Sequence, residues 1–275
     1  MSRKRSATGT IRKKTGTPSV EDKQIADVKP PEDGGPLALK LDASTIRDKK
    51  KRIHDLMIER GVNINKGNFT SIGGADLRVM FELYDEIFFN GYFADNVHEE
   101  VLFSISRKMT RAGGKTVTLS DPKAYVIKLS STLLFQSFDH KERKVVVNGV
   151  VCHDRLEAAM CVMEHEIIHL LELVNFKDSS CSKQRFASLC LNIFGHTDVK
   201  HDLVTGYEYA HREYGLKVGD TVSFEFEGNV RKGIITRITK RATVMVKDRK
   251  GRFQDDRGNS FSKYYIPLRL LKLSR

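Results

Sequence analysis

The sequence predicts an α+β protein: a mixed domain of helices around a small β-sheet, followed by a small all-β barrel. Three observations predict it. Apolar residues recur at helical spacing in several stretches between Leu77 and Phe194. Between the first two of those stretches lie short alternating runs, Val101–Ser106, Thr116–Leu119 and Tyr125–Leu129. Beyond Gly215 only short β runs with turn signals remain. The expected organisation is a disordered basic tail over 1–43, a lead-in helix and linker over 44–75, the mixed domain over 76–214 and the barrel over 215–275.

The tail is rich in Lys, Arg, Thr, Gly and Pro and has too few apolar residues for a core. A charged helix follows at 44–60, with Ile46, Ile53, Leu56 and Met57 as its apolar positions. Asp76 is placed to cap a helix Leu77–Asn90, whose stripe is Leu77, Met80, Phe81, Tyr84, Ile87 and Phe88; Asn90-Gly91 suits a left-handed end. Gly113-Gly114 marks a turn after which Thr116–Leu119 returns along the first strand. Asn148-Gly149, flanked by valines, is a strong hairpin signal. Asp154 with Glu157 opens a helix running to about Asn175, and a further helix spans roughly Lys183–Phe194, stopped by Gly195. In the barrel the expected strands are Thr221–Phe226, Arg231–Ile238, Ala242–Lys247 and Lys263–Leu268.

Charge separates these regions. The chain carries +12, of which Arg3, Lys4, Arg5, Arg12, Lys13 and Lys14 supply +6 and residues 215–275 supply +9, leaving −3 between. Two basic flanks around a slightly acidic centre suit docking on a polyanion, nucleic acid first. No run of apolar residues is long enough for a membrane span, and there is no secretory h-region. Cys152, Cys161, Cys181 and Cys190 lack C-x-x-C spacing and read as reduced thiols of an intracellular protein, in cytoplasm, nucleoid or nucleus.

The chemistry concentrates in His165-Glu166-Ile167-Ile168-His169, an H-E-x-x-H within an apolar helical pattern. Two imidazoles four residues apart sit on one helix face, about 6 Å apart along the axis, and reach one metal ion. Glu166 follows the first ligand, where a carboxylate accepts a proton from metal-bound water. Burying these groups without a common partner would be costly, and a divalent metal, Zn2+, removes that cost. A catalytic zinc needs a third protein ligand. Cys181, twelve residues after His169, and His196, past the next helix, are the candidates. A helix of about twelve residues spans roughly 18 Å, so they do not serve the same ion together. Glu172, one turn after His169, either orients a ligand or, the preferred reading, faces solvent, and Cys161 is expected to be core.

Residues from about 77 to 205 resemble the SprT-like domain, the family of the Spartan and Wss-type metalloproteases. The resemblance rests on Phe81–Phe89, on Ser104–Gly114, on Tyr125–Ser130 and on His165–His169, in that order. It implies a zincin-like fold, zinc on His165 and His169, Glu166 as general base, and DNA-associated or DNA-crosslinked protein as substrate. The family's third histidine opens an H-G-x-x-F/W segment; the matching stretch here, Cys181–Phe186, has none. Phe194-Gly195-His196-Thr197 is similar to a segment near the end of some such domains. The residues after Val218 resemble barrels of the Src-homology-3, Tudor or KOW kind. There Lys240, Arg241, Lys247, Arg249, Lys250 and Arg252 are expected to form a basic, nucleic-acid-binding patch, with Phe253, Tyr264 and Tyr265 as stacking surfaces or core.

The leading expectation is therefore a zinc metalloendopeptidase tethered to nucleic acid by its basic ends and acting on protein substrates. The alternative is a non-catalytic nucleic-acid-binding protein of the same fold, stabilised by zinc.

Overall fold

Leu77, Met80, Phe81, Tyr84, Ile87 and Phe88 lie along one side of α2 (Gly74–Phe89), and all are buried. This helix, the sheet beside it and the long helix α5 (Arg155–Phe176) enclose the first of two hydrophobic cores. The structure, a computed structural model, describes residues 35–121, 123–138, 144–200 and 202–274. The N-terminal cations from Arg3 to Lys14 lie outside the described residues, as does His201.

The helix expected at 44–60 is α1 (Ala43–Arg60), capped by the Asp42 carboxylate, which accepts from the Ser44 and Thr45 amides. It is more than a lead-in. Ile53, Met57, Ile64 and Phe69 are all fully buried in the first core. Ahead of it, a short 3-10 turn Pro36–Ala38 and the Leu41 amide, bonded to the Asn192 carbonyl, hold residues expected to be disordered. Asp76 differs from expectation too. The N-cap of α2 is Gly73, and Asp76 sits inside the first turn, accepting from the Gly73 and Asn63 amides and the Asn63 side chain. Asn90 and Gly91 end the helix with positive φ, as their chemistry suggests, and lead into the short α3 (Tyr92–Asn96).

The first sheet departs from a simple meander. β1 (Glu100–Ser106) and β2 (Gly114–Ser120) do not pair; β3 (Lys123–Ser130) inserts between them, parallel to β1 and antiparallel to β2. Both edges of β3 are paired, and its Tyr125, Ile127 and Leu129 face is buried, whereas Val126 and Lys128 on the other face are half-buried. The loop from β1 to β2 is pinned over the end of β3: Ser130 donates from its amide to the Gly113 carbonyl and from its hydroxyl to the Met109 carbonyl, and Thr132 donates to the Arg107 carbonyl. β2 is thereby left as an edge strand beside α5. After α4 (Ser131–Ser137), β4 (Val145–Val147) and β5 (Val150–Cys152) form a hairpin whose two-residue turn, Asn148-Gly149, has positive φ at both positions. α6 (Gln184–Phe194) packs along α5.

The second core begins at α7 (Gly206–Tyr214), whose Ala210 is fully buried among the C-terminal strands. These are β6 (Thr221–Phe226), β7 (Asn229–Ile238), β8 (Arg241–Lys247), β9 (Phe253–Gln254), β10 (Ser260–Pro267) and β11 (Lys272–Leu273). They form one antiparallel sheet in the order β11-β6-β7-β8-β10-β9. Alternation decides its inner face: Val222, Phe224, Ile235, Val244, Val246 and Ile266 point into the core. Among the described residues no pairing joins β9 to β11, so the sheet is strongly hydrogen-bonded but not a closed ring.

Candidate metal centre

α5 carries the site because its ends and faces are well specified. The Asp154 side chain accepts from the Glu157 amide at 2.8 Å and starts the helix. Glu157 returns the favour one residue earlier than in a regular capping box, accepting from the His153 amide. Most of α5 is buried, so each polar side chain on it has to find a partner.

His165 and His169 face each other across one turn, with their Nε2 atoms 3.2 Å apart. That is close to the separation of about 3.3 Å expected for two nitrogens on one tetrahedral zinc with bonds near 2.05 Å. Phe186 of α6, fully buried, backs both rings, with centroids 4.8 Å from His165 and 4.4 Å from His169. Cys181 joins them from the turn before α6: its sulfur and a nitrogen of each histidine lie within 4.8 Å of one another. The three could hold a metal ion. Cys181 is exposed and the histidines half-buried, so the trio opens to solvent on one side.

The other nitrogen of His169 is fixed by a chain of hydrogen bonds. Nδ1 lies 2.7 Å from the Ser179 hydroxyl, which donates to Glu172 Oε2 at 2.6 Å, and Arg185 Nε donates to Glu172 Oε1 at 2.6 Å. Arg185 in turn lies over the Phe176 ring. Glu172 is fully buried, which corrects the expectation that it faces solvent: Ser179 and Arg185 supply the partners that make its burial tolerable. Burial lowers the His169 pKa to about 4 against the opposing field of Glu172, so its imidazole is neutral at neutral pH, the state a metal requires.

Glu166 is buried with its carboxylate against β2. Thr116 donates to its Oε2 at 2.7 Å, and a Cβ on Gly114 would overlap the same carboxylate. Glycine at 114 is thus a matter of space. Desolvation pushes the Glu166 pKa up to about 7, with the Thr116 hydrogen bonds opposing. A carboxyl titrating there suits reversible proton transfer near neutral pH. His165, Glu166, His169 and Cys181 all line one cleft of about 560 Å³, lined also by Arg111, Lys115, Asn148 and Lys200.

His196 does not belong to this centre. It is buried on another side of α5, with Nε2 2.6 Å from Glu164 Oε2. Glu164 is fully buried; it also accepts from Lys50 at 2.7 Å and from the Tyr84 hydroxyl at 2.6 Å. Burial raises the Glu164 pKa, but Lys50 and His196 outweigh it and the carboxyl titrates below its usual range. Cys161 lies beside this network with Cys152 3.8 Å away, sulfur to sulfur; both are buried, as expected for core thiols. Cys161, Glu164 and His196 are close enough to bracket an ion, yet Glu164 is already fully engaged.

The expected basic patch is divided. Lys240 and Arg241 lie at one end of β8, and Lys247, Arg249, Lys250 and Arg252 at or beyond the other. Six residue steps of strand separate Arg241 from Lys247, about 20 Å. Lys240 instead lines a cavity with Arg107, Thr132 and Tyr209, between the two cores. Tyr264 packs on Phe224 and Phe226, whereas Phe253 and Tyr265 are exposed.

Sequence reading passes over Thr116, Gly114, Ser179, Arg185 and Phe186. Only the return of β2 after a Gly-Gly turn hints at the first two; the others become legible once α6 is laid against α5. No protein-family profile, curated protein or solved structure matches the chain. Among the described residues no helix is long and apolar enough to cross a membrane.

Proposed function

We propose that the chain is a SprT-like, zinc-dependent endopeptidase acting on proteins held at nucleic acid. The observation that carries this reading is the junction of an open His165–His169–Cys181 donor set with a buried carboxylate, Glu166, in one cleft. The donor set fits zinc: two imidazoles and a thiol, with a solvent-facing side for a fourth ligand. A cysteine at 181 replaces the family's histidine and still supplies a ligand suited to zinc. When bound, the metal supplies a Lewis acid for the scissile carbonyl and acidifies the attacking water.

The chain's own residues do the rest. Glu166 accepts the water's proton and delivers it to the leaving amine; Thr116 and the close approach of Gly114 hold its carboxylate in line. Ser179 and Glu172 fix the His169 ring so that Nε2 faces the donor set. β2 is an edge strand along the cleft, beside which an extended peptide can lie as an added strand. Basic segments at both ends hold the enzyme on nucleic acid and raise the local concentration of substrate.

Glu166→Gln is the test. Zinc content and nucleic-acid affinity should match the wild type, while cleavage of a DNA-binding protein in the presence of DNA should fall about 10²–10⁴-fold. A zinc-loaded wild type that cuts no protein with or without DNA overturns the reading in favour of a zinc-stabilised binding protein.

A further inference from the structure

We propose that the outer face of the β7–β8–β10 sheet is a docking surface for single-stranded nucleic acid. The proposal rests on the reading that the protein works at nucleic acid, and it replaces the divided patch around β8 with a continuous one.

The face is built by register. Ile234 pairs with Met245, which pairs with Lys263; Arg237 pairs with Thr243, which pairs with Tyr265; Lys247 pairs with Phe261. Lys232, two residues before Ile234, points the same way. The alternate residues Gly233, Ile235, Val244, Val246 and Ile266 are buried beneath, so this side is the one turned to solvent. Lys232, Arg237, Lys247 and Lys263 thus share a surface with two exposed aromatics, Tyr265 (61% exposed) and, on the neighbouring β9, Phe253 (40% exposed), under the Lys263 ammonium. Ile234, 47% exposed, lies between the cations.

Composition and geometry select the ligand. β7, β8 and β10 together contain six Lys or Arg and no Asp or Glu. Asp248 accepts from the Ser262 hydroxyl and the Lys250 amide, and Asp255 from Asn259; Glu225, opposite Val230 on β6, is an acid on the same face, at its edge beside Lys232. Adjacent strands are about 4.8 Å apart and same-face residues along a strand about 6.7 Å apart, so the cations can follow a phosphate backbone while exposed rings receive bases. Stacking requires unpaired bases, which a duplex does not present along its length.

The test is fluorescence anisotropy on the full chain with a labelled oligo-dT strand and with a duplex, across a salt series. Lys232→Ala/Lys247→Ala/Lys263→Ala should lower the slope of log affinity against log salt by about 2, from about 0.7 per phosphate contact. Tyr265→Ala should weaken oligo-dT binding roughly tenfold with the slope intact, and Lys240→Ala/Arg241→Ala should change both far less. Thermal melts check that each variant folds. Unchanged binding in the triple variant, a duplex bound as tightly as oligo-dT, or displacement by poly-glutamate as effective as by unlabelled oligo-dT would each overturn the proposal. The peptidase reading fails separately, through zinc content and cleavage of free casein by this same triple variant.

Discussion

Two sides of α5 carry the same kinds of side chain and put them to opposite uses. Glu164 and His165 are neighbours in the chain, yet Glu164 faces Lys50, Tyr84 and His196, whereas His165 faces His169 and Cys181. Each side brings together a histidine and a cysteine with a carboxylate nearby. On the sealed side the carboxylate has a cation, a hydroxyl and an imidazole as partners, and no access to solvent. On the open side two imidazole nitrogens meet with a thiol beside a cleft, and Glu166 has hydrogen bonds from Thr116, side chain and backbone, against its burial. Residue type alone therefore does not make a metal site. What distinguishes the two is how the carboxylate is partnered and whether the histidines and cysteine are reached by solvent.

The largest effect expected from this contrast is structural and falls on the sealed side. Glu164→Ala leaves the buried His196 and the half-buried Lys50 without their shared partner and should destabilise the protein by about 3–5 kcal/mol in urea melts. Metal bound per folded chain should not change. A loss of metal with unchanged stability would reverse the roles assigned to the two sides.

A somewhat smaller effect concerns pH in the metal-free protein. Glu166 holds its proton in the folded state up to about pH 7, whereas its ordinary pKa is 4.5. Its contribution to stability is thus present below pH 4.5 and is lost as pH rises through 7, a change of roughly 3 kcal/mol. His169, lowered to about 4, works in the opposite sense, its stabilising share being lost as pH falls below its ordinary value of 6.5. The difference between wild type and Glu166→Gln isolates the first term. With chelator present, the variant should gain relative stability between pH 5 and pH 8, and parallel stability profiles would contradict the burial argument.

Smaller again is the effect of the chain behind His169. Ser179→Ala removes the link to Glu172 and should weaken zinc binding about 10–100-fold, read by competition with a chromophoric chelator. An unchanged affinity would mean that packing on Phe186 alone orients the ring.

Much of this was legible in the sequence, and the omissions share a cause. The helices α2, α5 and α6, the Asn148-Gly149 turn and the strands β6, β7, β8 and β10 follow from local periodicity and turn chemistry, which act over a few residues. The pairing of the first sheet does not, because β3 reaches its central place only through the loop that Ser130 and Thr132 pin down. The short helices α3, α4 and α7 are too brief to show a period. His165, Glu166 and His169 stand out by spacing, and Cys181 by distance along the chain. The burial of Glu172 is not legible in the sequence because its partners, Ser179 and Arg185, become its neighbours only after α6 folds back on α5. The basic residues around the second core can be counted in the sequence but not placed, since β8 carries them to opposite ends.

The central claim is that His165, His169 and Cys181 hold one ion while Cys161, Glu164 and His196 hold none. X-ray absorption at the zinc edge, with metal counted per chain, tests it most directly. The account predicts a single zinc with two nitrogen ligands and one sulfur ligand, and loss of the sulfur signal in Cys181→Ser. Zinc that survives His165→Ala/His169→Ala, or a sulfur signal that persists in Cys181→Ser, would contradict it.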